Sequence, residues 1–234
     1  MGKTLRVSEH YFGDRGKRYF EGGFRDDTKF GRLFQSRYFR PFCSNDLILL
    51  DFGCADGFFL RCLPARKRIG VEANSTAREK CIQLCEKESI SIDLYSSLAA
   101  VKSMSADIVI SNHCLEHTPS PLENLEHIKR ILKPKGMFLL VVPFDDWRNK
   151  KHRTWVRDDK DNHLYTWSPM NLGNLLVEAG FEVEFSIVCT SAWSPKLYWI
   201  YDLMGERFFK SACYLLSLFK NRREVFCKAR RGAM

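Results

Sequence analysis

The order of elements in the sequence predicts an α/β fold built on a doubly wound, mostly parallel sheet. Three observations lead there. Short apolar runs alternate with stretches of helical period, the first run ends in a glycine-containing turn, and capping or helix-stopping residues stand between them. A chain of 234 residues suffices for one well-cored domain with extensions and is marginal for two.

Residues 47–52 form a continuous apolar run that carries Asp51 near its end and meets a glycine turn, the mark of a buried parallel strand. A helix is expected over about 56–63, closed by Pro64. Residues 68–72 are the second strand, and Asn74 or Ser75 can cap a helix over 76–87. Residues 91–95 and 106–111 are the third and fourth strands, with Asp107 at the entry of the fourth. Residues 121–132 read as a helix with proline in its first turn and Lys-Pro-Lys-Gly after its end. Residues 137–142 are the fifth strand, stopped by Pro143.

The pattern then breaks. Residues 145–167 show neither period and hold Trp147, His152, Trp155, His163, Tyr165 and Trp167. A loop this long in a compact domain is functional or disordered, and its aromatic content argues against disorder. Ser168 and Pro169 start a helix to Ala179, Gly180 ends it, and 181–189 is a strand. Residues 196–219 read as one helix and 224–229 as a last strand. The expected organisation is one domain over 1–234. It has a core of about 45–190, an N-terminal extension over 1–44 and a helical insertion over about 196–219.

The formal net charge is +9 and gathers at the ends. Residues 1–40 carry ten Lys and Arg against five Asp and Glu, and 196–234 carry nine against three. Such ends could meet phosphates on a nucleotide sugar, a lipid surface or nucleic acid, although a solvated surface explains them as well. Asp202, Glu206, Arg207 and Lys210 interrupt the most apolar late stretch, which excludes a comfortable membrane span. An amphipathic helix on a bilayer surface or on a partner, an oligomer included, stays compatible. The nine cysteines form no CxxC framework, and MGKTLRVSEHYF has no apolar signal core. Together these point to a reducing, cytoplasmic setting. Cys81 and Cys85, or Cys114 and His117, lack two further ligands at zinc-finger spacing, so no metal is expected.

The chemistry begins at 51–57, DFGCADG, after the first strand. Its glycines let backbone approach a ligand closely. A dinucleotide site normally brings three glycines and a pyrophosphate. Here Asp51 and Asp56 are poor company for pyrophosphate and suit an amine or a sulfonium. Glu72, at the end of the second strand, can accept both ribose hydroxyls, and its spacing of about 20 residues from the first loop fits.

These runs resemble the class I S-adenosylmethionine-dependent methyltransferases. LLDFGCADGFF is similar to the family's first motif and VEAN to its second. The run from ADIVISNHCLEH to the fifth strand, and HLYTWSPMNLGNLLVEAGF, resemble the small-molecule branch that includes ubiquinone-biosynthesis and sugar-tailoring enzymes. The resemblance implies a seven-stranded sheet with an antiparallel last strand, and S-adenosylmethionine as cofactor. It implies that Asp51 and Gly53 lie under the methionine part, bordered by Cys54 and Ala55, with Gly57 permitting the helix start. It places Glu72 on the ribose, Ala73 beside the adenine, and Asn112 and His113 facing sulfonium and substrate, with Leu115 and His117 in the same loop. An acidic residue common after the third strand is missing, which leaves Ser97 or a backbone group for the adenine.

Methyl transfer needs alignment, and a base when a hydroxyl is the acceptor. His163 and His113 are the candidates for the acceptor side. His163 could equally anchor its loop, His113 could pack over the cofactor, and Glu116 and His117 could simply organise the turn before Pro119. A small-molecule acceptor is expected, a sugar, glycolipid or lipid precursor. An RNA or protein acceptor is the alternative, and SNHCLEH lacks the [DNS]-P-P-[YFW] signature of amino-directed nucleic-acid enzymes. A non-catalytic cofactor-binding subunit is a third reading, opposed by the intact loop and Glu72.

Overall fold

The computed structural model describes residues 11, 13–21, 26–144, 154–155, 162–190 and 194–232, with backbone alone for 26–30 and 195. Its strands are β1 (Ile48–Phe52), β2 (Lys67–Val71), β3 (Asp93–Tyr95), β4 (Ala106–Asn112), β5 (Leu132–Pro143), β6 (Phe181–Thr190) and β7 (Arg223–Arg231). They form one sheet in the order β3-β2-β1-β4-β5-β7-β6. Strands β1 to β5 pair in parallel, and β7 runs antiparallel between β5 and β6. The expected doubly wound sheet with an antiparallel last strand is therefore present. Its order reverses between β1 and β4, which opens a crevice at their carboxyl ends.

The helices are α1 (Gly13–Glu21), α2 (Asp26–Phe39), α3 (Phe58–Cys62), α4 (Ser75–Lys87), α5 (Pro121–Ile131), α6 (Pro169–Glu178), α7 (Tyr198–Met204) and α8 (Glu206–Phe219). Both faces of the sheet are covered, which is why β1, β4 and β5 read as continuous apolar runs. Leu50, Val109 and Leu140 pack with Leu125 and Ile128 of α5 and Leu172 and Leu176 of α6. Leu49, Ile108 and Leu139 turn the other way, onto Phe39 of α2 and Phe59 and Leu60 of α3. Successive residues of one strand thus feed opposite layers, as the pleat requires.

Three expectations change. The helix expected over 56–63 is only Phe58–Cys62, because the turn still holds Asp56 and Gly57. The fifth strand starts at Leu132 and absorbs the Lys-Pro-Lys-Gly stretch. Its register to β4 shifts between Ala106 and Ile108, and an irregular pairing tolerates proline. The single helix expected over 196–219 is two, broken at Gly205 with φ 80 and ψ −179. That backbone region is open essentially to glycine alone. Phe209 of α8 is buried between the pair, stacking on Tyr198 at 5.5 Å and meeting Tyr201 edge-on at 5.9 Å. The opposite side of α8 exposes Phe208, Leu215 and Phe219. No helix among the described residues is long and apolar enough to cross a membrane.

Candidate functional site

The loop after β1 is pinned to β2. Val71 O accepts from Gly53 N at 2.8 Å and from Cys54 N at 3.1 Å. Gly53 sits at φ 79, and a Cβ there would fall 2.4 Å from Cys114 Sγ, so the site tolerates no side chain. Ala55 takes φ 48 without being glycine, a strained geometry of the sort that gathers at functional sites. Cys54 is buried under the loop, its Sγ against Gly70.

The two carboxylates of this loop have different fates. Asp56 pairs with Arg32 of α2, so it does not stand free for a ligand as the sequence suggested. Asp51 is 1% exposed, and its Oδ2 makes no hydrogen bond. Burial, with Cys81, Glu72 and Asp56 nearby, pushes its carboxyl well above the usual range. Among the described residues Asp51 has no counter-charge, a costly arrangement that a ligand's cation would relieve.

Glu72 leaves β2 and accepts from Ala55 N (3.0 Å) and Asn74 N (2.8 Å), spanning the first two loops. Desolvation pushes it upward in spite of these amides. Asn74 is the cap: its Oδ1 accepts from Ala77 N at 3.0 Å, and its Nδ2 donates to Tyr11 O at 2.7 Å. The backbone carbonyls of Glu72 and Ala73 both accept from Arg78 at 2.7 Å. Ser97 lies exposed two residues past β3, whose Tyr95 O accepts from Glu72 N at 3.0 Å. Glu72, Ala73 and Ser97 thus follow the ends of two neighbouring strands.

Beyond β4 the chain turns at His113, φ 50, held by its amide on Val141 O at 2.9 Å. The His113 ring lies between two buried carboxylates. Nδ1 is 3.4 Å from Glu116 Oε1, and Nε2 is 3.2 Å from Glu224 Oε1. Burial opposes charge on the ring, yet the two acids push it up to about 9. Asn112 donates to Gln35 Oε1 at 3.0 Å, and Gln35 donates to Glu224 Oε1 at 3.2 Å. Leu115 is wholly buried in the core, so its side chain anchors the turn. His117 Nδ1 lies 3.3 Å from Asn162 O, and its ring meets Tyr11 at 4.8 Å and His163 at 4.9 Å. Burial lowers its pKa, with His163 and His113 adding to this against Glu116.

The end of the aromatic loop docks on this turn. Leu164 N donates to Glu116 O at 2.9 Å and Tyr165 OH to Pro119 O at 2.9 Å. Tyr165 stacks on Trp167, which is 4% exposed and bridges to Phe144. Trp155 is 82% exposed, and Trp147 and His152 lie outside the described residues.

The structure therefore brings Asp51, Gly53, Cys54, Ala55, Gly57, Glu72, Ala73, Ser97, Asn112, His113, Leu115, His117 and His163 to the carboxyl-end rim of the sheet. Sequence reasoning missed Arg32, Gln35 and Glu224. The first two stand on α2, in a stretch read only as an extension. Glu224 carried one signal, a lone acid at the entry of a strand otherwise apolar and basic. On another side of α2, Leu33, Phe34 and Arg37 join Tyr201, Phe209 and Tyr214 around an open cavity of about 610 Å³.

A family profile described as a methyltransferase domain matches residues 27–185. A search of curated proteins returned no match. Among solved structures, phosphoethanolamine N-methyltransferase 2 of Haemonchus contortus, in complex with phosphomonomethylethanolamine and S-adenosylhomocysteine, superposes with TM-score 0.68 at 16% identity. The match covers 100% of this chain and 62% of that one. A Haloferax volcanii complex of the Trm112 methyltransferase activator with a putative methyltransferase matches at TM-score 0.68 and 14% identity, covering 98% and 99%. The [4+2]-cyclase SpnF matches at TM-score 0.61 and 18% identity, covering 87% and 81%. At such identities the likeness carries the fold alone, and the cyclase shows that this fold hosts more than one reaction. The profile match runs from α2 through β6 and takes in the loops after β1, β2 and β4: the chain belongs to the methyltransferase-domain family, in its class I, Rossmann-like form.

Proposed function

We propose that the chain transfers a methyl group from S-adenosylmethionine to an oxygen or nitrogen of a small molecule. The observation that carries the reading is Asp51, a fully buried carboxylate with an oxygen that no hydrogen bond satisfies, beneath the loop pinned to β2. An ammonium is the partner it lacks. When bound, S-adenosylmethionine supplies an electrophilic methyl group on a sulfonium. Glu72 suits the ribose, since each of its oxygens spends one lone pair on an amide and keeps another. Ala73 and Ser97 flank the adenine position, and Gly53 to Gly57 border the methionine part. Asn112 and His113 face the sulfonium side, their orientation set by Gln35 and Glu224.

His163 belongs to the acceptor side, with His113. A sugar, glycolipid or lipid precursor is the acceptor class favoured. The chain is basic, which suits phosphate-bearing acceptors, and the structurally similar Haemonchus enzyme was crystallised with a phosphorylated amine. The apolar cavity beside α2 has the size of a small-molecule site. All nine cysteines are free, which supports a reducing, cytoplasmic setting.

Two measurements test this. Calorimetry with S-adenosylhomocysteine should show one site per chain, weakened about tenfold or more in Glu72→Ala. Release of S-adenosylhomocysteine should be followed against pooled sugars, lipids and metabolites, with RNA and protein as separate pools. His163→Ala should lower turnover about 100-fold or more while affinity for S-adenosylhomocysteine stays within twofold. Absent binding sinks the cofactor assignment; turnover on RNA or protein alone sinks the small-molecule one.

A further inference from the structure

Glu116, His117 and His163 each bring a ligating atom to one point. One carboxylate oxygen and two imidazole nitrogens lie within 4.8 Å of one another, where the loop after β4 meets residues 162–167. We propose that these three side chains form a binding site for a divalent cation of the zinc and cobalt type.

The first argument is Glu116. It is wholly buried; its Oε1 is shared between two histidine rings, and its Oε2 has no hydrogen-bond partner among the described residues. Its nearest polar neighbours are ring nitrogens at ion-pair range, His113 Nδ1 at 3.4 Å and His117 Nε2 at 3.8 Å. A buried carboxylate oxygen without a hydrogen bond is rare and costly, and a metal ion is one of the few partners that satisfies it.

The second is the orientation of His117. Its Nδ1 lies against the backbone carbonyl of Asn162 at 3.3 Å, which leaves Nε2 towards Glu116. An imidazole that ligates metal almost always gives its other nitrogen to a carbonyl or carboxylate in this way.

The third is the frame. The two segments that carry the ligands are joined by Leu164 N to Glu116 O, 2.9 Å, and by Tyr165 OH to Pro119 O, 2.9 Å. Ligands whose segments are held together by hydrogen bonds before an ion binds meet the usual condition for a tight site. His113 keeps Glu224 as its partner at 3.2 Å when Glu116 turns to a cation.

The donor set decides the metal class. Two imidazoles and a carboxylate suit zinc, cobalt, manganese or iron, whereas magnesium and calcium take mostly oxygen. Zinc–nitrogen bonds of about 2.0–2.1 Å place ligands of one tetrahedral ion roughly 3.3 Å apart. Loading therefore draws the most distant ligand atoms together by up to about 1.5 Å. Three protein ligands leave a fourth position open. This inference rests on the proposed methyl transfer only for its purpose, a cation on the acceptor side. The binding itself stands or falls alone.

The test uses the full chain, stripped with chelator, loaded with Zn²⁺ or Co²⁺, desalted and assayed for metal. The expected result is one ion per chain, with affinity falling tenfold or more in His163→Ala and in Glu116→Gln. Loaded Co²⁺ should show visible bands without the strong near-ultraviolet absorption of thiolate ligation. Each variant is first checked for S-adenosylhomocysteine binding, which separates loss of the cation from loss of the fold. If Glu116→Gln does not fold, His163→Ala decides. No retained ion, unchanged metal content in His163→Ala, or a thiolate band that moves the ion to the cysteines would each overturn the site. Any of these outcomes together with intact S-adenosylhomocysteine binding leaves the methyltransferase reading standing.

Discussion

Asp51 sets a cost in stability against the binding role proposed for it. Its pKa in the folded chain lies above that of an unfolded aspartate, about 3.9. The folded state therefore holds the proton more tightly. Stability of the ligand-free protein is greatest below the unfolded value and declines as pH rises through the folded one. Asp51→Asn removes this decline. Its melting temperature should exceed that of the wild type at about pH 8 and converge with it near pH 4. The same variant should bind S-adenosylhomocysteine about tenfold or more weakly, because a charge-assisted contact is lost. Asp107 works in the opposite sense. Burial opposes its charge, but Lys133 Nζ and Ile48 N, both at 2.8 Å, hold the carboxyl below its usual range. Asp107→Ala should cost about 1–2 kcal/mol in denaturant titrations near neutral pH, an effect that shrinks as acid protonates the wild-type residue. The placing of Asp51, Glu72 and His113 at or just past the carboxyl ends of β1, β2 and β4 was legible, because the sequence marks each strand locally. Glu224 was not, since 111 residues separate it from His113.

At the level of elements, strands and capped helices were read closely because their signals are local. The Ser168 cap is present with both reciprocal bonds, and Asn74 caps α4. Errors fell where local rules and tertiary context disagree. Pro134 marks the end of a helix in sequence, yet the chain continues as strand because an irregular pairing accepts it. The break at Gly205 was hidden by an apolar run that keeps helical period on both sides. No atom beyond its neighbours lies within 4 Å of a Cβ built at Gly205, so substitution there meets only backbone strain. Gly205→Ala should lower stability by about 1–3 kcal/mol, measured by chemical denaturation, and should leave S-adenosylhomocysteine affinity unchanged. α2 was the larger omission. Its sequence shows no strong apolar stripe, and its importance comes from Arg32 and Gln35 reaching across to loops far along the chain.

For the whole molecule, the topology was legible from alternation and order, and the crevice between β1 and β4 follows from that topology. The cavity beside α2 was not legible, because its lining comes from α2, α7 and α8, whose mutual placement no local pattern encodes. A ligand seated in the crevice bridges the loops after β1, β2 and β4 and should steady the entire sheet. At 100 times its dissociation constant, S-adenosylhomocysteine should add about 2.7 kcal/mol. In a chain of this size that is a rise of about 5–10 °C in melting temperature. Scanning fluorimetry would show it, and NAD at the same concentration should have no effect.

The place of β7 has a consequence for how the protein is made. Of the seven strands it is synthesised last, yet it lies between β5 and β6. Until it emerges from the ribosome, β5 and β6 each present an open edge to other nascent chains, a hazard for misassembly. The same strand delivers Glu224 to His113. Closing the sheet and completing the site are thus one event, and a chain interrupted during translation before β7 would hold most of the fold without the finished centre.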